Sequence, residues 1–513
     1  MPHVLSLDLG TNGARAGVFD TDARCLIARG EAGYPTRHLP PDRAEQDPED
    51  WWQALCRVVP QVLAEAGDPE IAAVTVATFA STVVLADRDG TPLAPAILWM
   101  DARAAAEAAF SAGVEHPVLA LSGGSNAVEW LIPKAMWVAR NDPGLWARTG
   151  VICEALDFVN FRLTGEWAGS LMNATCKWNY DSRARAFCPD LYDALGIPEI
   201  ADRLPRRIVD IGAVIAPVTP AAKAALGIRG TPVVVQGGID AHMGSFGADC
   251  VTPGTMLLIG GTSNVHITQV PDDGAEITGV WGPYPHALTP GMRMIEGGQV
   301  SAGSILRWLS QDIFGMADTE LPTLLEKVEG IEPDATGLMA LDFWMGNRTP
   351  YRDARLRGAF LGLSLSHDRA AIYRAALTAV ALGAANVIFD LERQGVRVDR
   401  IVMAGGIMRN PVWLRATVDA IGKPVGLAED DNLTLIGNAV AATVGIGLQP
   451  DLVTAAHALR APVRMLQPDM ARHAQYRRLL AQYREAVEIL TPILHALADG
   501  TSRQAEHRQE AAQ

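Results

Sequence analysis

The sequence predicts an α/β protein whose two related domains face each other across a central cleft. Strand and helix patterns alternate in both halves of the chain, which is typical of the α/β class. An apolar strand, a Gly-rich polar turn and a second apolar strand run from Ser6 to Asp20, and the same order returns from Gly254 to Thr268. Two such hairpins indicate that each domain offers a polar turn to one shared ligand.

The first hairpin carries a carboxylate at the end of its first strand. Gly10 permits the tight turn and lets a ligand approach the backbone. The N–H groups of this turn, together with Thr11 and Asn12, suit phosphate oxygens, and Asp8 suits a magnesium ion, which prefers oxygen ligands. The segment matches neither the lysine-bearing phosphate loop nor the dinucleotide GxGxxG pattern. An ordinary structural hairpin is therefore the alternative interpretation of this segment alone.

Later segments predict regular elements by their caps and periodicity. Asp47 before Pro48 is a good N-cap for a helix that extends to about residue 66. Residues 151–164 have helical spacing, and residues 369–393 predict a long helix that is apolar nearly all round and therefore buried. The predicted division of the chain is a first domain at 1–245, a second at 246–498 and a polar tail at 499–513.

Asp240 is the strongest single candidate for catalysis. It follows Gly237 and Gly238 at the end of a predicted strand, where α/β sheets carry functional groups. Phosphorylation of an alcohol needs a carboxylate that accepts the hydroxyl proton and groups that hold the phosphoryl charge. Asp is also a preferred N-cap, and the helix that begins at Ala241 offers that structural role. The two roles are compatible.

Two further loops favour ligand contacts. The Trp99 ring can cover the apolar face of a sugar, and Asp101 can accept hydrogen bonds from hydroxyls, although a structural pair of Asp101 with Arg103 is the alternative. In the second half, Gly405 and Gly406 form a turn against which a flat ring can lie, and Asn410 can bond an adenine or ribose edge. An ordinary loop between strand and helix is the alternative there.

Composition excludes several classes of function. The chain has 513 residues, too many for one ordinary core, and 49% of them are hydrophobic. A formal net charge of −15 argues against binding to nucleic acid or an anionic membrane. No apolar run reaches the roughly 18 residues that span a bilayer, and the start lacks the basic segment of a signal peptide. Six cysteines without CxxC spacing predict a reduced, cytoplasmic protein without structural zinc.

Taken in order, these segments resemble the FGGY carbohydrate kinases from about residue 3 to about residue 450. The resemblance implies two ribonuclease-H-like domains of the actin/hexokinase superfamily, with ATP and Mg²⁺ in the cleft between them. It also implies phosphoryl transfer to a sugar hydroxyl. The segments that carry it are Asp8–Gly13, Glu45–Pro48 with Trp51 and Trp52, Pro95–Arg103, Leu163–Gly165, Gly238–Asp240, Gly261–Ser263, Gly358–Leu363, and Gly405 and Gly406 with Asn410.

The resemblance assigns expected roles to individual residues. Asp240 is the expected catalytic base and Asp8 the expected metal ligand. The expected ATP- and phosphate-binding residues are Gly10, Thr11, Asn12, Arg15, Gly261, Thr262, Ser263, Gln299, Gly405, Gly406 and Asn410. The expected sugar-binding residues are Ser81, Trp99, Asp101, Glu129, Lys134 and Asp240.

Within the family the chain is most similar to ribulokinases. Glu296–Gln299 and Gly346–Tyr351 resemble their segments, and Phe79–Ser81 stands where xylulose kinases usually carry Gln-Met-His. The predicted substrate is therefore a ketopentose of the ribulose type. Xylulose, ribitol, erythritol and glycerol are the alternatives. The expected partners are the sugar and ATP, with no nucleic acid or membrane, and a homodimer is the default expectation for self-association.

Two hypotheses from other classes compete with a sugar kinase. A non-catalytic actin-type nucleotide-binding module would share both hairpins, but it leaves Trp99–Arg103 and the position of Asp240 without a purpose. A regulatory pseudo-kinase is suggested by Ala77, Asn432 and Asn438, which depart from the residues common in the family. Sugar-stimulated release of ADP separates both from the kinase.

Overall fold

The first half of the chain is built around a six-stranded sheet. The computed structural model describes residues 2–510 except 41, 275 and 431. The strands of this half are β1 (His3–Gly10), β2 (Gly13–Asp20), β3 (Cys25–Gly33), β4 (Arg37–Leu39), β5 (Arg43–Gln46), β6 (Ile71–Thr78), β7 (Val83–Ala86), β8 (Ala96–Ile97), β9 (Val151–Glu154), β10 (Gly169–Ser170), β11 (Ile208–Val209), β12 (Val214–Pro217) and β13 (Val233–Val235). The helices are α1 (Pro48–Glu65), α2 (Ala105–Ser111), α3 (Pro117–Ala120), α4 (Leu131–Asn141), α5 (Pro143–Arg148), α6 (Ala155–Thr164), α7 (Leu171–Lys177), α8 (Pro189–Ala194), α9 (Ile200–Arg203), α10 (Pro220–Leu226) and α11 (Asp240–Gly247).

The second half is built around a seven-stranded sheet. Its strands are β14 (Gly254–Gly260), β15 (Asn264–Pro271), β16 (Trp281–Pro285), β17 (Met292–Gln299), β18 (Met339–Leu341), β19 (Ala359–Leu361), β20 (Val398–Ala404), β21 (Val425–Ala428) and β22 (Val463–Leu466). Its helices are α12 (Gly303–Trp308), α13 (Leu321–Glu329), α14 (Arg369–Arg393), α15 (Pro411–Ile421), α16 (Leu433–Gly445), α17 (Leu452–Leu459) and α18 (Met470–Glu510).

The two large sheets share one local arrangement. In the first sheet, with strand order β12-β13-β6-β1-β2-β3, the antiparallel hairpin β1–β2 lies beside the parallel strand β6. In the second, with order β16-β17-β15-β14-β20-β21-β22, the hairpin β14–β15 lies beside the parallel strand β20. The prediction of two related α/β domains is therefore confirmed, while the bounds 1–245 and 246–498 stay a prediction.

Helix α16 joins the halves because it packs against β1, β6 and α11. Glycines allow the close approach to α11, since a Cβ atom on Gly437 would lie 1.9 Å from the Met243 carbonyl oxygen. The Ser6 hydroxyl on β1 also donates to the Leu435 carbonyl at 2.7 Å. The ends of β1 and α11 are thereby held at the floor of the cleft.

Most predicted helices form, with local differences. Asp47 caps α1 by accepting from the Glu49 N–H at 2.9 Å, as predicted. The predicted helix over 151–164 is wrong in its first four residues, which form β9 because they pair with β7. Helix α18 extends to Glu510, so most of the predicted tail is helical, and residues 511–513 lie outside the described residues.

Helix α14 has the predicted bounds and is buried along most of its length. Contrary to the expectation from the sequence, it contains an 18-residue stretch apolar enough to cross a membrane by length and composition. Because 89% of that stretch is buried inside the protein, its apolar side chains are accounted for by packing in the core.

Candidate active site

Two carboxylates meet at the floor of the cleft. Asp8 lies near the end of β1, and Asp240 is the first residue of α11. Burial, followed by repulsion from the Asp8 carboxylate, raises the pKa of Asp240 to about 7. Burial also raises the pKa of Asp8, although Arg15 opposes that shift. An acid with a pKa near neutrality can accept and release a proton under physiological conditions.

Asp240 does not serve as the N-cap of its helix. Ile239 occupies the cap position, and α11 has no hydrogen bond from a capping side chain. The Asp240 carboxylate instead accepts from the adjacent Ala241 N–H at 2.7 Å. Asp240 also lines the cavity described below. The N-cap role considered from the sequence is therefore not adopted, and the catalytic role of Asp240 stays a prediction.

Asp8 is fully buried and faces Arg15 across the hairpin. The two side chains form an ion pair, so Arg15, predicted to bind phosphate, contacts the carboxylate instead. Arg15 occupies Oδ2, while Oδ1 has no hydrogen-bond partner within the described part of the chain, which fits a hard cation as a further partner. No three acidic, His or Cys groups cluster among those residues, so such a cation would need phosphate and water ligands, as Mg²⁺ usually does.

The predicted glycine turns of the second half lie together. The Gly261 N–H donates to the Ser263 carbonyl at 2.9 Å and closes the β14–β15 turn. Gly405 has a φ of 89°, and a Cβ atom there would lie 2.7 Å from the Gly260 carbonyl oxygen. Only glycine fits this contact without strain. Gly406 is exposed beside it, so the two turns present adjacent backbone at the surface.

Two predicted nucleotide-binding side chains are instead engaged in the fold. The Gln299 amide donates to the Asp342 carboxylate at 2.6 Å and to the Val380 carbonyl at 3.0 Å. The side-chain oxygen of Gln299 accepts from the Asn264 amide at 2.6 Å. Asn410 caps α15, where its side-chain oxygen accepts from the Trp413 N–H at 3.0 Å. Both side chains therefore have partners within the fold, and their predicted nucleotide contacts stay predictions.

A cavity of about 260 Å³ opens between the halves. The Trp99 indole at its edge donates to the Thr11 hydroxyl at 3.1 Å, which ties the predicted sugar loop to the first phosphate turn. The cavity is lined by Thr11, Phe79, Ala80, Ser81, Trp99, Glu129, Lys177, Ile239, Asp240, Ala241, His242, Ser263, Val265, Trp281, Glu296 and Arg348. Its lining therefore includes one residue of each predicted phosphate turn, Asp240 and most of the predicted sugar-binding residues.

Two predicted sugar-binding residues are not among those lining residues. Asp101 is fully buried and accepts from the Ala44 N–H at 2.7 Å and from Arg103 at 2.7 and 2.8 Å. Burial opposes ionisation, but Arg103 and these N–H groups lower the Asp101 pKa. Lys134 is also fully buried and donates to two backbone carbonyls. Asp101 thus fulfils the structural alternative considered from the sequence.

The cavity also contains a charged network that the sequence did not identify. His242 and Lys177 lie 3.2 and 3.8 Å from one Glu296 oxygen. Burial opposes ionisation of Glu296, but Lys177, His242 and Arg348 outweigh it and lower the pKa of Glu296 to about 2. The Lys177 ammonium also lies 4.7 Å from the centre of the Trp281 ring.

Sequence signals for this network were uneven. Glu296 lies within a segment that resembles the family, and His242 lies two residues after Asp240, so both could have been proposed from the sequence. Arg348 also stood in a family-like segment, and it stacks on Trp281 at 4.0 Å. Lys177 ends a seven-residue helix whose sequence has no ligand-like pattern. Only the tertiary structure brings it to the cavity.

Comparison with known proteins agrees with this arrangement. The model of the FGGY family of carbohydrate kinases matches with its N-terminal domain over residues 3–247 and its C-terminal domain over residues 256–446. A ribulokinase of Mycolicibacterium smegmatis is 29% identical over 497 residues, covering 88% of this chain and 87% of the relative. A human FGGY carbohydrate kinase domain-containing protein is 28% identical over 486 residues, covering 85% of this chain and 87% of the relative. The crystal structure of a "xyloylose kinase" from Brucella ovis aligns with a TM-score of 0.85 at 25% identity, covering 96% of this chain and all of that one.

Proposed function

Because the chain belongs to the FGGY family of carbohydrate kinases, we propose that it transfers the terminal phosphoryl group of ATP to a hydroxyl of a ribulose-type ketopentose. The family makes the protein a sugar kinase, and the choice of sugar and the residue roles are the proposal. One observation carries it. Asp240, with a pKa near neutrality, lines a cavity that also contains residues of both phosphate turns.

In the proposed reaction Asp240 accepts the proton of the sugar hydroxyl. The hydroxyl oxygen then bonds to the terminal phosphorus as the bond from that phosphorus to the bridging oxygen breaks, which leaves ADP. N–H groups of the turns at Thr11 and Ser263 stabilise the phosphate charge. Asp8 would hold Mg²⁺, which supplies charge neutralisation of the phosphates when bound. Closure of the two halves excludes water and limits hydrolysis of ATP.

The charges of the cavity favour an uncharged sugar. Lys177 lies 3.8 Å from Glu296, and Arg348 lies 3.6 Å from Glu129 and 4.0 Å from Glu296. Each cation thus already faces a carboxylate, and Asp240 adds a further acid. An aldonate would place a carboxylate among these acids without a free cation to receive it, and like charges repel strongly in a desolvated site. A ketose or polyol meets no such penalty.

Two observations favour a ribulose-type ketose over the other neutral sugars. The 29% identity to a ribulokinase extends over most of both chains. In addition, Phe79–Ser81 lines the cavity where xylulose kinases usually carry polar Gln and His. The chain therefore lacks two side chains expected to contact xylulose.

A panel of acceptors in a coupled assay of ADP release tests the proposal. The panel comprises D- and L-ribulose, D- and L-xylulose, ribitol, erythritol, glycerol and gluconate. We expect the highest kcat/KM with one enantiomer of ribulose and the lowest with gluconate. A preference for xylulose or gluconate would contradict the substrate proposal. ATP binding without sugar-stimulated turnover would contradict the kinase mechanism and favour a nucleotide-binding module or pseudo-kinase.

A further inference from the structure

We propose that Lys134 and Glu154 are positioning residues that hold Ser81 from both sides and thereby fix the wall of the sugar cavity. These three residues are called the clamp below. The inference rests on the proposed function, because it takes the cavity lined by Ser81 as the sugar site. It replaces the expectation that Lys134 binds the sugar directly.

The backbone of Ser81 needs to be held in place. Its φ is 60°, in the left-handed region that residues other than glycine rarely adopt. Such conformations persist where the surrounding structure determines them, and they cluster at ligand sites. The Ser81 N–H donates to Glu154 at 2.8 Å, and the Ser81 carbonyl accepts from the Lys134 ammonium at 2.6 Å. Both backbone polar groups of the strained residue are therefore bound by buried charged side chains.

Lys134 connects two parts of the cavity wall. Its ammonium donates at 2.6 Å to the Leu98 carbonyl as well as to Ser81. Leu98 directly precedes Trp99, which lines the cavity on another segment of the chain. Burial lowers the pKa of Lys134 to about 7, against the influence of nearby acids including Asp101. Since a fully buried ammonium is costly unless it is hydrogen-bonded, the two carbonyls explain its presence.

Glu154 connects the same wall to the charged network. It lies at the end of β9, is fully buried, and accepts from the Asn173 amide at 2.9 Å and from the Trp178 indole at 3.0 Å. Asn173 is on α7, the helix that ends at Lys177. Through Glu154, the position of the strained Ser81 is tied to the helix that carries the Lys177 ammonium into the cavity.

Lys134→Met tests the clamp, because it keeps the unbranched stem of the side chain and removes the ammonium with both of its hydrogen bonds. Lys223→Met is the matched control, since Lys223 donates to the Gly230 carbonyl and does not line the cavity. We expect the KM for ribulose to rise about tenfold in Lys134→Met, with the KM for ATP within about twofold, and no change in Lys223→Met. Amide hydrogen exchange in residues 79–85 should become faster only in Lys134→Met.

Several outcomes would overturn the inference. A folded Lys134→Met variant with a ribulose KM within twofold of wild type contradicts it, as does an equal rise in the KM for ATP. If Lys134→Met does not fold, Glu154→Gln decides, because it keeps the shape of the side chain and replaces one of its two acceptor oxygens with a donor. We expect Glu154→Gln to raise the ribulose KM about threefold, since an amide cannot accept all three donors, and an unchanged KM refutes the clamp.

Hydrogen exchange separates this inference from the proposed function. If the wild-type protein phosphorylates no sugar of the panel, the proposed function fails. Faster exchange of residues 79–85 in Lys134→Met would still support the clamp, and unchanged exchange would refute it.

Discussion

Replacing Asp240 with Asn removes the proposed base with little change in shape. The amide oxygen can still accept from the Ala241 N–H, which the carboxylate does at 2.7 Å. Burial and the neighbouring Asp8 place the pKa of Asp240 at about 7. The ionised, base-competent fraction therefore rises from about a tenth at pH 6 to about nine-tenths at pH 8. In the wild-type protein, kcat/KM for the sugar should fall about tenfold per pH unit below this pKa.

The size of the effect follows from the role of a general base. Such a group contributes about 10²- to 10⁴-fold to the rate, so Asp240→Asn should lose at least about a hundredfold in kcat at pH 8. The pH dependence near 7 should disappear with it, and ATP binding by calorimetry should stay within about threefold of wild type. Asp202→Asn is the matched control, because the Asp202 side chain is 75% exposed and forms an ion pair at 2.6 Å with Arg206 on the surface.

Two results would refute this reasoning. Near wild-type turnover in Asp240→Asn would show that another group accepts the proton. If kcat/KM of that variant still falls below pH 7 as in the wild-type protein, the titrating group is elsewhere. Asp8→Asn tests the direction of the shift. Removal of the neighbouring charge should lower the pKa of Asp240, so the residual activity should begin to fall at a lower pH than in the wild-type protein.

Three further outcomes are expected. Glu296→Gln should raise the KM for the sugar about tenfold, because Lys177 loses a charged partner. The KM for ATP, measured at steady state, should change little. An equal rise in both KM values would contradict this expectation. Asp101→Asn should lower the melting temperature by about 2 °C or more with the sugar KM within twofold, because Asp101 supports the loop and not the substrate; a large rise in KM would restore its predicted role. Asp240→Asn should melt higher than wild type at pH 8 in calorimetry, with no difference below about pH 4. In the folded wild-type protein the pKa of Asp240 is about 7, above its ordinary value of 3.8. Between pH 3.8 and 7 the folded state therefore binds more protons than the unfolded state, and the wild-type protein loses stability as the pH rises through this range.

Local signals in the sequence were sufficient for the framework of the site. Asp8 lies near the end of a strand and Asp240 follows one, each two residues from a glycine, and such positions are set by a few neighbouring residues. The capped start of α1 and the bounds of α14 are local in the same sense. These features need no knowledge of distant segments, and the structure has them as predicted.

Membership in a motif did not reveal the direction of a side chain. Asp101 and Lys134 lie in segments that border the cavity, yet buried backbone groups take up their hydrogen-bonding capacity. Buried N–H and carbonyl groups must be satisfied, and a polar side chain beside a site often serves that need. Lys177 shows the converse, because the rings around its ammonium, including Trp130 and Trp281, come from distant segments.

Two of the three residues that depart from the family pattern, Ala77 and Asn438, lie beside β1. The Asn438 amide donates to the Leu7 carbonyl at 2.7 Å, directly before Asp8 on β1. Ala77 lies opposite Asp8 in the pairing of β1 with β6. Neither lines the cavity, so these two departures concern the support of β1 and leave the cavity-lining carboxylate of Asp240 in place.

The proton affinity of the base depends on more than the two carboxylates that motifs identify. Burial and then repulsion from Asp8 raise the pKa of Asp240, so the separation of β1 from α11 contributes to the strength of the proposed base. Helix α16 sets that separation, since Thr434 donates to the Asp240 carbonyl at 3.1 Å and Asn438 binds β1 at 2.7 Å. A segment of the second half therefore contacts both the backbone of Asp240 and the strand that carries Asp8. A change in the packing of α16 should alter the pH dependence of the reaction even where it contacts neither substrate.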